Sequence, residues 1–309
     1  LYYTTNGEYP SQQAAVYTEP IPLSGGETMI YAIVVGEDGL VSPVAIYGYT
    51  IGGVVEPVTL ADPAVDSAVR QVLGLGAADT IYSNDLWAVT ALTVPEAATE
   101  LSDLRHLSYL ENLSITNRQI SDLSFLEGMT RLKSLDLSGS TISGGLDVLK
   151  NLPALEELSM QGCSISSLAF LEGAPSLKKL DLSSNAVGNL TVLSTIPTLQ
   201  TLDLSDNAVS DLIPLMGLTE LSSLDVSENV LTSIAPIRNC LKLTVLDVSD
   251  NKLTDIAAVQ KLTGLTEFRA EKNQLIDCAA LAGCTELRKL DLSNNQLTDI
   301  TMLSGLTKM

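Results

Sequence analysis

From residue 110 to residue 309 the apolar positions recur with a step of 22, lengthened once to 23, and each copy can be read position by position. An apolar opener stands at Leu113, Leu135, Leu158, Leu180, Leu202, Leu224, Leu246, Phe268 and Leu290. Three residues before it stands Leu in every copy, from Leu110 to Leu287; two residues after it comes an apolar side chain, and seven after it Ile, Val or Leu. The apolar–polar–apolar alternation around the opener predicts a short strand. Its apolar residues point inward, and positions minus one, plus one and plus three point outward. About a dozen residues per copy remain for the return, enough for a turn or a 3₁₀ segment and too few for a full helix. Such units cannot bury their apolar face alone, so they stack. Nine strands at about 4.8 Å spacing predict a parallel sheet roughly 40 Å long.

Two polar positions are equally regular. Asn at plus five (Asn185, Asn207, Asn229, Asn251, Asn273, Asn295) is expected to satisfy buried backbone groups where the chain turns, as a ladder. Asp, Ser or Asn at plus nine (Asp122, Ser167, Asn189, Asp211, Ser233, Asp255, Asp277, Asp299) is expected to cap the return segment. Gly144-Gly145 lengthens one copy by a residue and predicts a local bulge.

The pattern before the repeats is different. Residues 1 to about 55 hold seven of the nine tyrosines and no Lys or Arg. β-Prone runs Met29 to Val35 and Val44 to Ile51 flank a turn signal, Gly36-Glu37-Asp38-Gly39, and Asn6-Gly7 marks an earlier turn, predicting a small antiparallel β-sandwich. Gly52-Gly53 to Pro57 reads as a linker. A helix follows, with Asp62 to cap, Pro63 at its first position, Gly74 as its stop, and Val65, Ala68, Val69, Val72 and Leu73 as its apolar face. A second short helix is predicted from Asn84 through Val89, with Trp87 packed beneath this cap. Residues 1–55, 56–90 and 91–309 are thus expected as β-module, linker with helical cap, and repeat array.

Composition narrows the function. A net charge of −20, from 37 acidic against 17 basic residues, repels phosphate backbones and anionic lipid and argues against nucleic-acid or membrane-surface partners. No apolar run is long enough to span a bilayer. The four cysteines (Cys163, Cys240, Cys278, Cys284) fall at repeat positions otherwise held by Asn, Leu or Ile and read as buried free thiols. The chain opens on Leu1, which reads as a processed or excised piece with the β-module incomplete at its start, and further chain is expected after Met309.

The run Tyr2-Tyr3-Thr4-Thr5-Asn6-Gly7, with Tyr17-Thr18-Glu19-Pro20-Ile21 and Tyr31-Ala32-Ile33-Val34-Val35, resembles the chitobiase C-terminal-like modules of bacterial secreted and surface proteins. These are immunoglobulin-like spacers. The order of an Asp-Pro helix followed by 22-residue repeats resembles the internalin-type bacterial surface proteins. That resemblance implies an α/β leucine-rich repeat solenoid with its parallel sheet on the concave face and short 3₁₀ or turn segments on the convex face.

On the outward sheet positions, plus one is a column of aspartates and plus three is mostly serine. Its hydrated, self-bonded consensus reading outweighs a cation site, because hard cations need oxygens converging on one point. The column is broken at Glu267-Phe268-Arg269-Ala270-Glu271-Lys272-Asn273. There Arg269 lies between Asp247 and Asp291 and can pair with both, Glu267, Glu271 and Lys289 stand beside it, Val245 adds an apolar spot, and Asp225 continues the column. A second departure is Glu157, Ser159, Gln161 and Lys179. These are the candidate partner-binding residues. His106, the single histidine, falls on a rim or convex position, and no nucleophile, phosphate-loop or metal motif appears. The expectation is a non-catalytic, monomeric, secreted or surface-displayed module that takes a protein ligand, such as a host or neighbouring-cell surface protein, without a cofactor. The alternative is an accessory or targeting region of a larger carbohydrate-active enzyme.

Overall fold

A computed structural model describes residues 1–23, 26–51 and 55–309. The linker residues Gly52 and Gly53 lie outside these. The chain divides into two compact units, Leu1–Leu113 with Phe125–Leu132, and Ser114–Ser124 with Lys133–Met309.

In the first unit, β1 (Tyr2–Thr4), β2 (Ala15–Val16), β3 (Gly26–Ile33) and β4 (Ala45–Ile51) form one antiparallel sheet in the order β2-β1-β3-β4. The Gly36–Gly39 turn joins the long pair β3–β4, which aligns Met29 with Gly48 and Tyr31 with Ile46. Period 2 therefore places Met29, Tyr31 and Ile46 on one face. That face is closed by Trp87, only 8% exposed, whose ring stacks on Tyr109 at 5.4 Å. Trp87 is buried as expected, but its partners include the N-terminal sheet rather than the cap alone. Gly48 is the reason it fits, since a Cβ there would come within 2.4 Å of the Trp87 ring.

Helix α1 (Pro63–Leu73) starts and stops where its caps predict. Asp62 accepts the Ala64 and Val65 amides at 2.9 and 3.0 Å, and Gly74 closes the end at φ 68°. Val65 and Val69 are buried, whereas Val72 is exposed, because the apolar stripe drifts off the contact in the last turn. The second predicted helix is a single 3₁₀ turn, Asp85–Ala88. One ladder strand escapes the sequence pattern: Ala91–Thr93 neighbours Asn112–Ser114 in the parallel order and buries Leu92. Its surroundings, with Pro95 and a short return, do not repeat the later consensus.

In the second unit the openers at 135, 158, 180, 202, 224, 246, 268 and 290 centre eight three-residue parallel strands. Equivalent residues are paired throughout, as in Leu202 with Leu224 and Asp203 with Asp225. The returns are 3₁₀ segments of three to six residues. Openers from Leu135 to Phe268 are at most 2% exposed. The Asn ladder forms as predicted. Asn229 Nδ2 donates to the carbonyls of Leu204, Val226 and Ser227 at 2.8, 3.3 and 2.9 Å, while its Oδ1 accepts the Val209 amide at 2.8 Å. The plus-nine caps also form, for example Asp211 Oδ1 on the Ile213 amide at 2.8 Å and Asp255 Oδ1 on the Ala257 amide at 2.7 Å. At the lengthened copy Gly145 adopts φ 78° and presses on the preceding corner, where a Cβ would meet Asp122 Oδ1 at 2.2 Å. The return after it, Leu146–Asn151, is the six-residue one.

Candidate functional site: the outward face of the repeat sheet

Parallel pairing in register places like positions of successive repeats side by side. Strands Lys179–Asp181, Thr201–Asp203, Ser223–Asp225 and Val245–Asp247 thus line up Asp181, Asp203, Asp225 and Asp247. Rows about 4.8 Å apart leave neighbouring carboxylates repelling by about 1 kcal/mol per pair in water. Serine at plus three answers part of this. The amide of Ser205 and its hydroxyl both donate to Asp203 Oδ1, at 2.9 and 2.7 Å, and Ser227 does the same to Asp225 at 2.9 and 2.6 Å. Burial nonetheless pushes Asp225 above the usual carboxylate range; the Ser227 bonds oppose the rise, and the charges of Asp247 and Asp203 add to it.

The broken repeat is built differently from the expectation. Arg269 Nη1 reaches Asp247 Oδ2 at 3.4 Å, and its Nη2 pairs with Glu267, not with Asp291. The reason is local: Glu267 and Arg269 are two apart on one strand, so both side chains stand on the same face. Lys289 joins from the next strand, 3.1 Å from Glu267. Asp291 is held below the usual range chiefly by the Ser293 hydroxyl and amide, with burial opposing and with smaller help from the charge of Arg269. Phe268 points inward with no exposed surface.

Two leucine-rich repeat models match the array: that described as Leucine Rich repeats (2 copies) over residues 153–195, 197–239 and 263–308, and that described as Leucine Rich repeat over 239–259. Residues 1–49 match a model described as Fn3 associated. No curated protein matches the sequence. Among solved structures, the internalin InlF of Listeria monocytogenes aligns at 24% identity and a TM-score of 0.55, covering 84% of this chain and 98% of its own. The functional domain of InlJ from the same organism aligns at 23% and 0.62, covering 80% and 63%. The fold is that of an internalin-like leucine-rich repeat protein. The plant peptide hormone receptor RGFR1, in complex with RGF2, aligns at 24% and 0.56 over 69% of this chain and 38% of its own.

Within the internalin-like array, the second departure is a cross-strand pair with Lys179 Nζ 2.5 Å from Glu157, and Gln161 exposed. It is separate from the first: Lys179 lies four strands before Glu267. The column that the repeat pattern did not single out is plus four. Asp206, Glu228, Asp250 and Lys272 all adopt positive φ, 51 to 53°, and are exposed. Gly139 and Gly162, at the same position with φ 69 and 64°, were the available signal. His106 lies exposed on a 3₁₀ return. The four cysteines are buried free thiols, and burial pushes each upward, Cys240 to about 11. InlJ includes a cysteine ladder. In the present array Cys240 and Cys284 share a repeat position but are separated by Leu262.

Proposed function

We propose that the chain is a non-catalytic recognition module, secreted or displayed at a bacterial surface, that binds a protein ligand on the outward, concave face of its repeat sheet. The observation that carries this reading is the partly compensated charge pattern of that face. A rigid parallel scaffold holds Asp203, Asp225 and Asp247 in register and breaks the row with Arg269, Glu267, Glu271 and Lys289. Electrostatic patterning of this kind selects partners and steers association. The likeness to internalins supports a surface role, and the likeness to a peptide hormone receptor supports a polypeptide ligand. Val245, Asp247, Arg269 and Glu271 are the centre of the proposed contact, with Glu157, Gln161 and Lys179 as a second one.

The division into a β-module (1–55), linker and cap (56–90) and array (91–309) belongs to this proposal, as do the chitobiase-like character of the first part and a monomeric state. A second reading, an accessory region of a carbohydrate-active enzyme, is favoured by one observation. Tyr17, Tyr47 and Tyr49 are 44 to 54% exposed on the N-terminal sheet and its loops, where aromatic rings can meet sugars.

The test is photo-crosslinking from a probe residue at Ser223 on the sheet face or at Ser194 on the return side, with surface proteins of candidate cells offered to each. Protein adducts from Ser223 and not Ser194 are expected. Adducts confined to Ser194, or glycan-array binding without protein adducts, would contradict the proposal.

A further inference from the structure

We infer that the face between Thr201 and Glu271 takes a lysine- or arginine-bearing extended segment of its protein partner; this rests on the reading of the face as the binding surface. Three consecutive repeats place Asp203, Asp225 and Asp247 side by side at plus one, and add Asp206, Glu228 and Asp250 at the exposed positive-φ corner that follows each strand. Arg269 pairs with Asp247 and Lys272 with Asp250. Among the described residues, Asp203, Asp206, Asp225 and Glu228 make no ion pair. Asp203 and Asp225 give only Oδ1 to their own serines, so each leaves Oδ2 as an open acceptor.

An independent observation lies at Ser249. Six repeats carry Asp-x-Ser on this face, and in five of them the serine hydroxyl donates to the aspartate at 2.6 to 2.7 Å. In the sixth, the Ser249 amide still donates to Asp247 Oδ1 at 2.9 Å, but the hydroxyl has no partner although the residue is only 8% exposed. Ser249 stands on the outward side between Ser227 and Glu271, in the repeat that borders Arg269. Buried hydroxyls without a partner are rare because they forfeit a hydrogen bond to water without replacing it. The open carboxylate oxygens of Asp203 and Asp225 stand on neighbouring strands, and the shielded, unused Ser249 hydroxyl flanks them one repeat further on.

The chemistry that fits such a row is a cation rich in donors. An ammonium offers three and a guanidinium five, and neither accepts. No group of three or more His, Cys, Asp or Glu among the described residues is arranged to hold a metal ion. An extended chain suits the row, because its side chains project at about 6.8 Å intervals on one face and can span three repeats.

The experiment titrates the full chain with dye-labelled octalysine and follows anisotropy at low and at physiological salt. Asp203→Asn with Asp225→Asn should weaken binding about tenfold and Ser249→Ala about threefold, while Glu127→Gln with Glu172→Gln, which removes equal charge from exposed return segments, should change it less than about twofold. Circular dichroism confirms that each variant folds. Equal losses in both double variants would show diffuse attraction and overturn the inference, as would spermine binding as tightly as octalysine. If the Asn variants bind octalysine like the parent while Ser223→Trp still blocks the photo-crosslinked partner, the basic-segment inference falls and the sheet-face reading stands. If Ser223→Trp blocks neither, the sheet-face reading falls.

Discussion

Asn229 commits both ends of its amide to main chain, three carbonyls and one N–H from two different repeats, at 7% exposure. Removing it leaves the Val209 amide buried without a partner, while the Leu204, Val226 and Ser227 carbonyls keep donors from Asn207, Asn251 and the Asp206 amide. Asn229→Ala should therefore lower stability by roughly 1–3 kcal/mol, read as a shift in the urea midpoint. Asp225 tests the opposite case. Its folded-state pKa is raised, chiefly by burial. The relative stability it gives is present below the unfolded value and lost as pH rises through the folded one, so at pH 7 it carries a penalty. Asp225→Asn should raise the melting temperature at pH 7, and the gain should fade as pH falls through the carboxylate range. The Asn ladder was legible because a polar residue recurs at a position the chain must bury. Ser249 was not, because its Asp-x-Ser is the same in five other repeats and its neighbour sets it apart. Glu267 was legible as a neighbour of Arg269, but its pairing in place of Asp291 was not, because a repeat pattern gives positions and not side-chain rotamers.

At the scale of elements, caps were the most legible feature and loop length the next. Asp62 is 3% exposed and caps α1 while also receiving the Thr99 and Glu100 amides at 2.7 and 3.0 Å. Burial works against its charge, but these backbone donors outweigh burial and hold its pKa well below the usual 3.8. A depressed carboxylate gives stability above the unfolded pKa that is lost as pH falls, so acid should loosen this end below about pH 4. Asp62→Ala should cost roughly 2–3 kcal/mol at pH 7, and the difference from the parent should shrink on acidification in denaturant melts. Gly145 carries the extra residue of its repeat at positive φ against Asp122 and Leu123. Gly145→Ala should cost roughly 2–4 kcal/mol, whereas Gly173→Ala, with φ 75° and open space, should cost about 1 kcal/mol. The strand at Ala91–Thr93 and the 3₁₀ turn at Asp85–Ala88 were not legible as such, because stretches this short are decided by the neighbours they dock on.

For the molecule as a whole, the period of 22 was enough to derive a stacked parallel sheet, and the charge of −20 argues against anionic partners. The partner itself leaves no mark in a repeating pattern, since specificity resides in departures from it. The central claim is that the sheet face, not the return side, binds a protein. The most direct test is calorimetric titration of the photo-crosslinked partner against the parent chain, Ser223→Trp and Ser194→Trp. The account predicts at least about a tenfold loss of affinity for Ser223→Trp and parent-like affinity for Ser194→Trp. Parent-like binding by Ser223→Trp with loss in Ser194→Trp would contradict it.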